Sequence, residues 1–131
     1  MASLNKVILI GNLGRDPEVF TFENGTKKMS VSLATTESYR DRDGNRQEQT
    51  EWHNLVNYGQ IAQDIADRRR NYVKGDCMYV EGRIRSRQYV DAQNVTRYVT
   101  EILVDKMMSL GNARTPQDPN ASYNAYASQQ Q

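Results

Sequence analysis

One helical stretch set between two blocks of strand pattern constrains this chain most. From Gln60 to Val73, Ile61, Ala62, Ile65, Ala66, Arg69, Tyr72 and Val73 recur at helical spacing, and Lys74-Gly75 supplies a cationic last turn and a glycine cap. On both sides the residues alternate instead with period 2, the signature of strands. A single helix placed after three strands and before two predicts the order β-β-β-α-β-β.

Before the helix, KVILIGNLG is a β-branched run stopped by Gly11 and Gly14, as expected of a strand buried on both sides. It resumes beyond Pro17 as an extended segment, Val19 to Phe22. Asn24-Gly25 then predicts a tight primed hairpin turn, and Met29, Val31 and Leu33 alternate with Lys28, Ser30 and Ser32 in the return strand. Phe20 and Phe22 suit a core or a binding surface, with the core favoured. Glu37 to Gln49 is polar, alternates in charge and turns at Asp43-Gly44. It reads as a long hairpin loop, either solvated or a mobile flap offering Tyr39, Arg40, Arg42 and Arg46 to a polyanion.

The strand from Glu48 to Tyr58 holds the only Trp and the only His. Its alternation puts Trp52, Asn54, Val56 and Tyr58 on one face and His53, Leu55 and Asn57 on the other. Two large aromatics sharing a face with a polar residue between them fit sheet packing, or a platform on which nucleobases stack for roughly 1–3 kcal/mol each.

After the helix, Met78, Val80, Gly82 and Ile84 point one way, and Glu81, Arg83, Arg85, Arg87 and Tyr89 the other. The three arginines form a ladder with a repeat of about 7 Å, set by strand geometry. Charge on a strand can protect a sheet edge. Interleaved with aromatics, it also suits a groove in which cations track phosphates and rings take bases. The run Arg68-Arg69-Arg70 reads as a solvated helix face, with Asp64 and Asp67 spaced to pair with Arg68 and Arg70. Asp91 to Asn94 turns the chain into a last strand with Tyr98, Thr100, Ile102 and Val104 on one face. Residues 112–131 are rich in Pro, Asn, Ser, Ala and Gln and predict a disordered tail behind one domain at 1–111.

Composition narrows the function classes. A formal net charge of +1 means that any polyanion site must come from the arrangement of charge, not from its excess. The lone Cys77 excludes an intramolecular disulfide framework, fits a reducing interior and reads as a small buried strand residue. Val7 to Ile10 is too short for a signal segment or a membrane span, so a soluble cytoplasmic protein is expected. There is no GxGxxG and no GK[ST], no motif calls for a cofactor or metal, and no enzymatic chemistry is expected. Glu51 and His53 are the pair a nuclease would use, and no such chemistry is expected of them.

The β-β-β-α-β-β order is that of the OB-fold, a five-stranded Greek-key barrel that binds oligonucleotides or oligosaccharides. Fold alone leaves two functions open: nucleic-acid binding, or an OB-fold protein-interaction or primosome-type accessory module. The segments NKVILIGNLGRDPEV, SLATTESYRD, EQTEWHNLV, YVEGRIRSRQY and RYVTEILVD, in this order, resemble the signature segments of the bacterial single-stranded DNA-binding proteins. The resemblance implies an OB-fold that assembles as a homotetramer and wraps single-stranded DNA without sequence preference, protecting it in replication, recombination and repair within the nucleoid. It puts base-stacking aromatics at Tyr39, Trp52, Tyr58 and Tyr89, phosphate contacts at Lys6, Arg40, Lys74, Arg83, Arg85 and Arg87, and a subunit-interface residue at His53. The alternative for His53 is a hydrogen bond within its own subunit. Two departures stand out. Asn57 occupies a barrel-facing position where an apolar residue is usual, so the strand end is expected to bulge or open. The chain ends SQQQ where members usually carry a short acidic tip that recruits genome-maintenance proteins, which implies either truncation or DNA coverage without recruitment through that tip.

Overall fold

The computed structural model describes residues 1–111; the tail expected at 112–131 lies outside the described residues. The elements run β1 (Val7–Leu13), β2 (Glu18–Thr21), β3 (Lys27–Arg40), β4 (Arg46–Asn57), α1 (Gln60–Ala66), β5 (Cys77–Val90) and β6 (Thr96–Gly111). The strand order is β1-β5-β6-β4-β3-β2, and β1 pairs again with β3. That second pairing closes β1, β3, β4, β5 and β6 into the five-stranded barrel of the OB-fold, with β2 as a short extension beside β3.

Closure depends on Gly11. There β1 passes from β5 to β3, joining it at Asn12↔Ala34 and Leu13↔Leu33, and a Cβ on Gly11 would collide with the Ala34 carbonyl. The core is built from the inward positions of the strands, among them Met29, Val31 and Leu33 on β3, Leu55 on β4 and Met78 and Val80 on β5. Each such side chain contributes about 1.5–3 kcal/mol by leaving water. Ile61 and Ala62 of α1 join this cluster. On β6 the pairing steps from Glu81↔Lys106 to Gly82↔Val104, so Asp105 is an extra residue. The bulge reverses the parity of β6 and lets both Val104 and Met107 face inward.

Three hairpins share one loop design. Phe22 and Thr26, Asp41 and Asn45, and Asp91 and Val95 close three-residue loops by backbone hydrogen bonds of 2.8–3.0 Å. The last loop residue is left-handed in each: Gly25 (φ 89°), Gly44 (φ 81°) and Asn94 (φ 64°). This is the three-residue hairpin loop, not the primed turn expected at Asn24-Gly25. Asp41 and Asp91 brace their loops identically, each Oδ1 accepting two backbone N–H bonds of 2.9 Å.

Several expectations are corrected. β1 is not buried on both faces, because Ile8 and Ile10 are each 56% exposed. Val19 to Phe22 is no continuation of β1: its strand part, β2, pairs separately with β3. Phe20 and Phe22 are also outside the core. Glu37 to Gln49 is mostly strand, since pairing continues to Arg40↔Arg46 and leaves a short turn. The helix stops at Ala66, and Arg68 adopts φ 61°. Arg70 therefore leaves the helix face and bonds Asp64 (3.1 Å), the Tyr72 hydroxyl (3.0 Å) and the Met107 carbonyl (2.7 Å), in place of the ion pairs expected from helical spacing. Cys77 is half-buried.

Asn57 neither bulges nor opens the end of β4. Pairing is regular to Met29↔Asn57. Its Nδ2 donates to the Val104 carbonyl at 2.9 Å, and its Oδ1 accepts from the Gly59 and Ala62 N–H groups at 2.9 and 3.0 Å. The amide thus joins β4 to β6 and satisfies a donor at the start of α1, where Gly59 has no side chain to cap with.

Candidate nucleic-acid interface

Because β-strand side chains alternate, the partners of the core residues define a second, outward face. Register pairs Phe20 on β2 with Lys28 on β3, and Tyr58, the residue after the last pair Met29↔Asn57, has its ring centroid 5.9 Å from Lys28 Nζ. Trp52, Asn54 and Val56 follow along β4, opposite Ala34, Ser32 and Ser30. Beyond the parallel step Val56↔Leu103, the face continues through Glu101 on β6 and Arg83, Arg85, Arg87 and Tyr89 on β5.

Trp52 is 59% exposed. Its indole lies beside Gly14, where a Cβ would strike both ring atom Cζ3 and the Ser32 hydroxyl. A large ring that is held at one point and mostly exposed can serve as a platform. Tyr58 follows β4 with two cations beside it: the Arg85 guanidinium donates to its hydroxyl at 3.2 Å and lies 5.4 Å from the ring centroid, and Lys28 Nζ lies 5.9 Å away. Arg87 sits 5.9 Å from the Tyr89 centroid.

Glu101 organises this end. Only 3% exposed, its Oε1 accepts from Arg85 at 2.5 and 3.2 Å and from Arg87 at 3.1 Å. Burial alone would raise its pKa, but the two guanidinium hydrogen bonds outweigh burial and hold the carboxyl below its ordinary value. Arg85 is correspondingly raised, by Glu101 first and the Tyr58 hydroxyl second. A continuous polar chain therefore runs Lys28–Tyr58–Arg85–Glu101–Arg87–Tyr89.

This barrel and this face have counterparts. Residues 4–110 match the model of the single-strand binding protein family. The chain belongs to that family. It is 44% identical over 126 residues to single-stranded DNA-binding protein 1 of Xylella fastidiosa, covering 95% of this chain and 88% of that protein. With the single-stranded DNA-binding protein of Neisseria meningitidis serogroup A it shares 47% identity over 109 residues, or 83% of this chain, and spans only 61% of that protein's length. The solved structure of Plasmodium falciparum SSB in complex with single-stranded DNA superposes with TM-score 0.75 at 32% identity, covering 85% of this chain and 98% of that one. The expected resemblance is borne out at the level of family and fold.

The site residues named from sequence are not equivalent. Trp52, Tyr58, Arg83, Arg85, Arg87 and Tyr89 share the outward face. Tyr39 pairs with Gln47 and so has the opposite parity to Trp52, on an arm that extends past the barrel. Arg40 bonds the Gly44 carbonyl at 2.9 Å. Lys74 is exposed on a loop tied to the end of β1, its N–H donating to Asp16 at 2.7 Å and that of Gly75 to the Leu13 carbonyl at 2.8 Å. Lys6, just before β1, is paired with Glu81 at 3.1 Å, and Arg83, although on the shared face of β5, is paired with Asp105 at 3.7 Å. His53 Nε2 shares a 2.9 Å hydrogen bond with Thr35 in its own subunit. Sequence reasoning missed Glu101 and Lys28. Lys28 carried a signal in its place on the strand that pairs with β4, whereas nothing in the sequence alone marks Glu101, whose burial depends on the pairing of β5 with β6.

Proposed function

We propose that this chain binds single-stranded DNA regardless of sequence, by stacking and charge and with no chemical step. The carrying observation is the chain of contacts from Lys28 through Tyr58, Arg85, Glu101 and Arg87 to Tyr89 on a face that also carries the open ring of Trp52. Cations held beside aromatic rings suit a strand whose phosphates alternate with exposed base faces. The names of the relatives support the same reading, as does the DNA in the Plasmodium complex. Duplex DNA hides its base faces and offers this surface only phosphates.

Bases stack on Trp52, Tyr58 and Tyr89, with Tyr39 reached where the strand passes the β3–β4 arm. Arg40, Lys74, Arg83, Arg85 and Arg87 take phosphates, and Lys6 extends that set past β5. The cellular role is protection of single strands in replication, recombination and repair, in the cytoplasm at the nucleoid. The chain works as a homotetramer, with His53 near a subunit contact; the exposed Ile8 and Ile10 on a sheet-edge strand support an oligomer. Among the described residues, no helix is long and apolar enough to cross a membrane.

The test is the salt dependence of binding to oligo-dT. The logarithm of affinity is expected to fall linearly with the logarithm of salt, by roughly 0.7 for each phosphate neutralised. A matched duplex should bind far more weakly. Equal affinity for both, or binding indifferent to salt, would overturn the proposal.

A further inference from the structure

Phe20 and Phe22 have no role in the site described so far, nor in the core. They are 61% and 39% exposed, and their rings meet edge to face at 5.0 Å and 74°. Both project from the outward face: Phe20 is paired with Lys28, and Phe22 follows two residues later just before the loop at Gly25. A groove beside them is lined by Glu18, Val19, Phe20, Phe22, Lys28 and Ser30.

Three observations fix what this groove would hold. First, Lys28 joins the two aromatics: it is paired with Phe20 across β2 and β3, and its Nζ lies 5.9 Å from the Tyr58 centroid. Two strand spacings correspond to a backbone separation of about 10 Å, within reach of a short run of nucleotides. Second, Lys28 has no carboxylate within ion-pair distance among the described residues, and its Nζ lies over Tyr58, so a free cation stands between the two aromatic positions. Third, the one carboxylate in the groove, Glu18, is paired with Arg15 at 3.2 Å, which reduces its repulsion of an anion. Aromatic rings flanking a cation are the arrangement that takes a base, a phosphate and a base in succession.

We propose that Phe20 and Phe22 form a further base-stacking station, so that a single strand leaving Tyr58 crosses Lys28 and continues over β2. The inference rests on the outward face being the single-strand path, and it adds a direction: the strand leaves across the β2 edge of the sheet.

The experiment measures the affinity of oligo-dT of increasing length for the full chain, for Phe20→Ala and for Phe20→Tyr, with Trp52→Ala as a reference. Circular dichroism confirms that the exposed substitution leaves the fold intact. Phe20→Ala is expected to bind the shortest oligomers as the parent does, and to lose about tenfold in affinity for those long enough to pass Tyr58. Phe20→Tyr should restore the long-oligomer affinity, because a phenol ring still stacks. Parental affinity of Phe20→Ala at every length, while Trp52→Ala binds weakly, would overturn the inference and leave the reading of the face standing. No binding of oligo-dT by the parent itself would remove both. A change in oligomeric state of Phe20→Ala by sedimentation, with DNA affinity unaltered, would show that the pair packs against a second copy of the chain and overturn the inference as well.

Discussion

Two long hairpin arms leave the same barrel and differ in how they hold their charge. The β3–β4 arm turns at Asp41–Asn45 and the β5–β6 arm at Asp91–Val95, through loops of one design. On the β5–β6 arm the arginines are anchored: Arg85 and Arg87 on the nearly buried Glu101, and Arg97 on Asp91 at 2.9 Å. On the β3–β4 arm they are not. Arg40 meets only a turn carbonyl, Arg46 lies 3.9 Å from the exposed Glu48, and Arg42 has no carboxylate partner among the described residues. An anchored cation is positioned before a strand arrives, whereas a free one contributes attraction without geometry. One arm can thus set the path of a single strand while the other adapts to it.

The largest expected effect is at the anchor. Glu101→Gln removes the charge that holds two guanidinium groups and should destabilise the fold by about 2 kcal/mol in chemical denaturation, allowing for the partial exposure of both arginines. Glu48→Gln in the other arm should cost nothing measurable. Equal losses would break the comparison. The same contrast has a pH sign: because the folded pKa of Glu101 lies below its ordinary value, its contribution is present above the ordinary glutamate range and is lost as pH falls through the lowered value. Thermal melts from neutral to acid should therefore show a steeper loss for the parent than for Glu101→Gln.

The turns provide the next test, since they should respond alike. Gly44→Ala forces a Cβ into a left-handed position and should cost about 1 kcal/mol, while Asn94→Gly relieves that geometry and should stabilise by a few tenths of a kcal/mol in the same denaturation assay. A smaller effect still is expected from Arg42→Gln. It should reduce the magnitude of the salt slope for oligo-dT by at most about 0.7, one phosphate, and leave stability unchanged. A loss of stability would show that Arg42 is anchored after all.

Apart from β2, which read as a resumption of β1 and makes four strands before the helix in place of three, the order of elements was legible because a core imposes a period, and Met29, Val31, Leu33, Leu55, Met78 and Val80 carry it. Where no core lies behind a residue, the period fades. Glu37 to Gln49 read as a loop because an arm extending past the barrel has no buried side to alternate against. Tyr72 and Val73 continue a helical spacing that the chain abandons at Arg68, where tertiary bonds from Arg70 to Asp64 and Met107 direct the backbone away. Val7 to Ile10 are apolar at every position, so alternation could not reveal that Ile8 and Ile10 face outward. Asn57 looked like a defect because its hydrogen-bond partners, the Val104 carbonyl and the N–H groups of Gly59 and Ala62, are set by tertiary structure. The site was half legible: the aromatics and arginines stand out in strand register, but Glu101 is recognisable only once β5 and β6 are paired.

The most direct measurement uses the only tryptophan. If bases come to rest on Trp52, titrating the protein with oligo-dT while following intrinsic fluorescence at low and moderate salt should show strong quenching that weakens as salt rises, with little quenching by matched duplex. Unquenched Trp52 at oligo-dT concentrations where a second probe, such as fluorescence anisotropy of labelled oligomer, reports full binding would contradict the account. DNA would then lie elsewhere on the barrel.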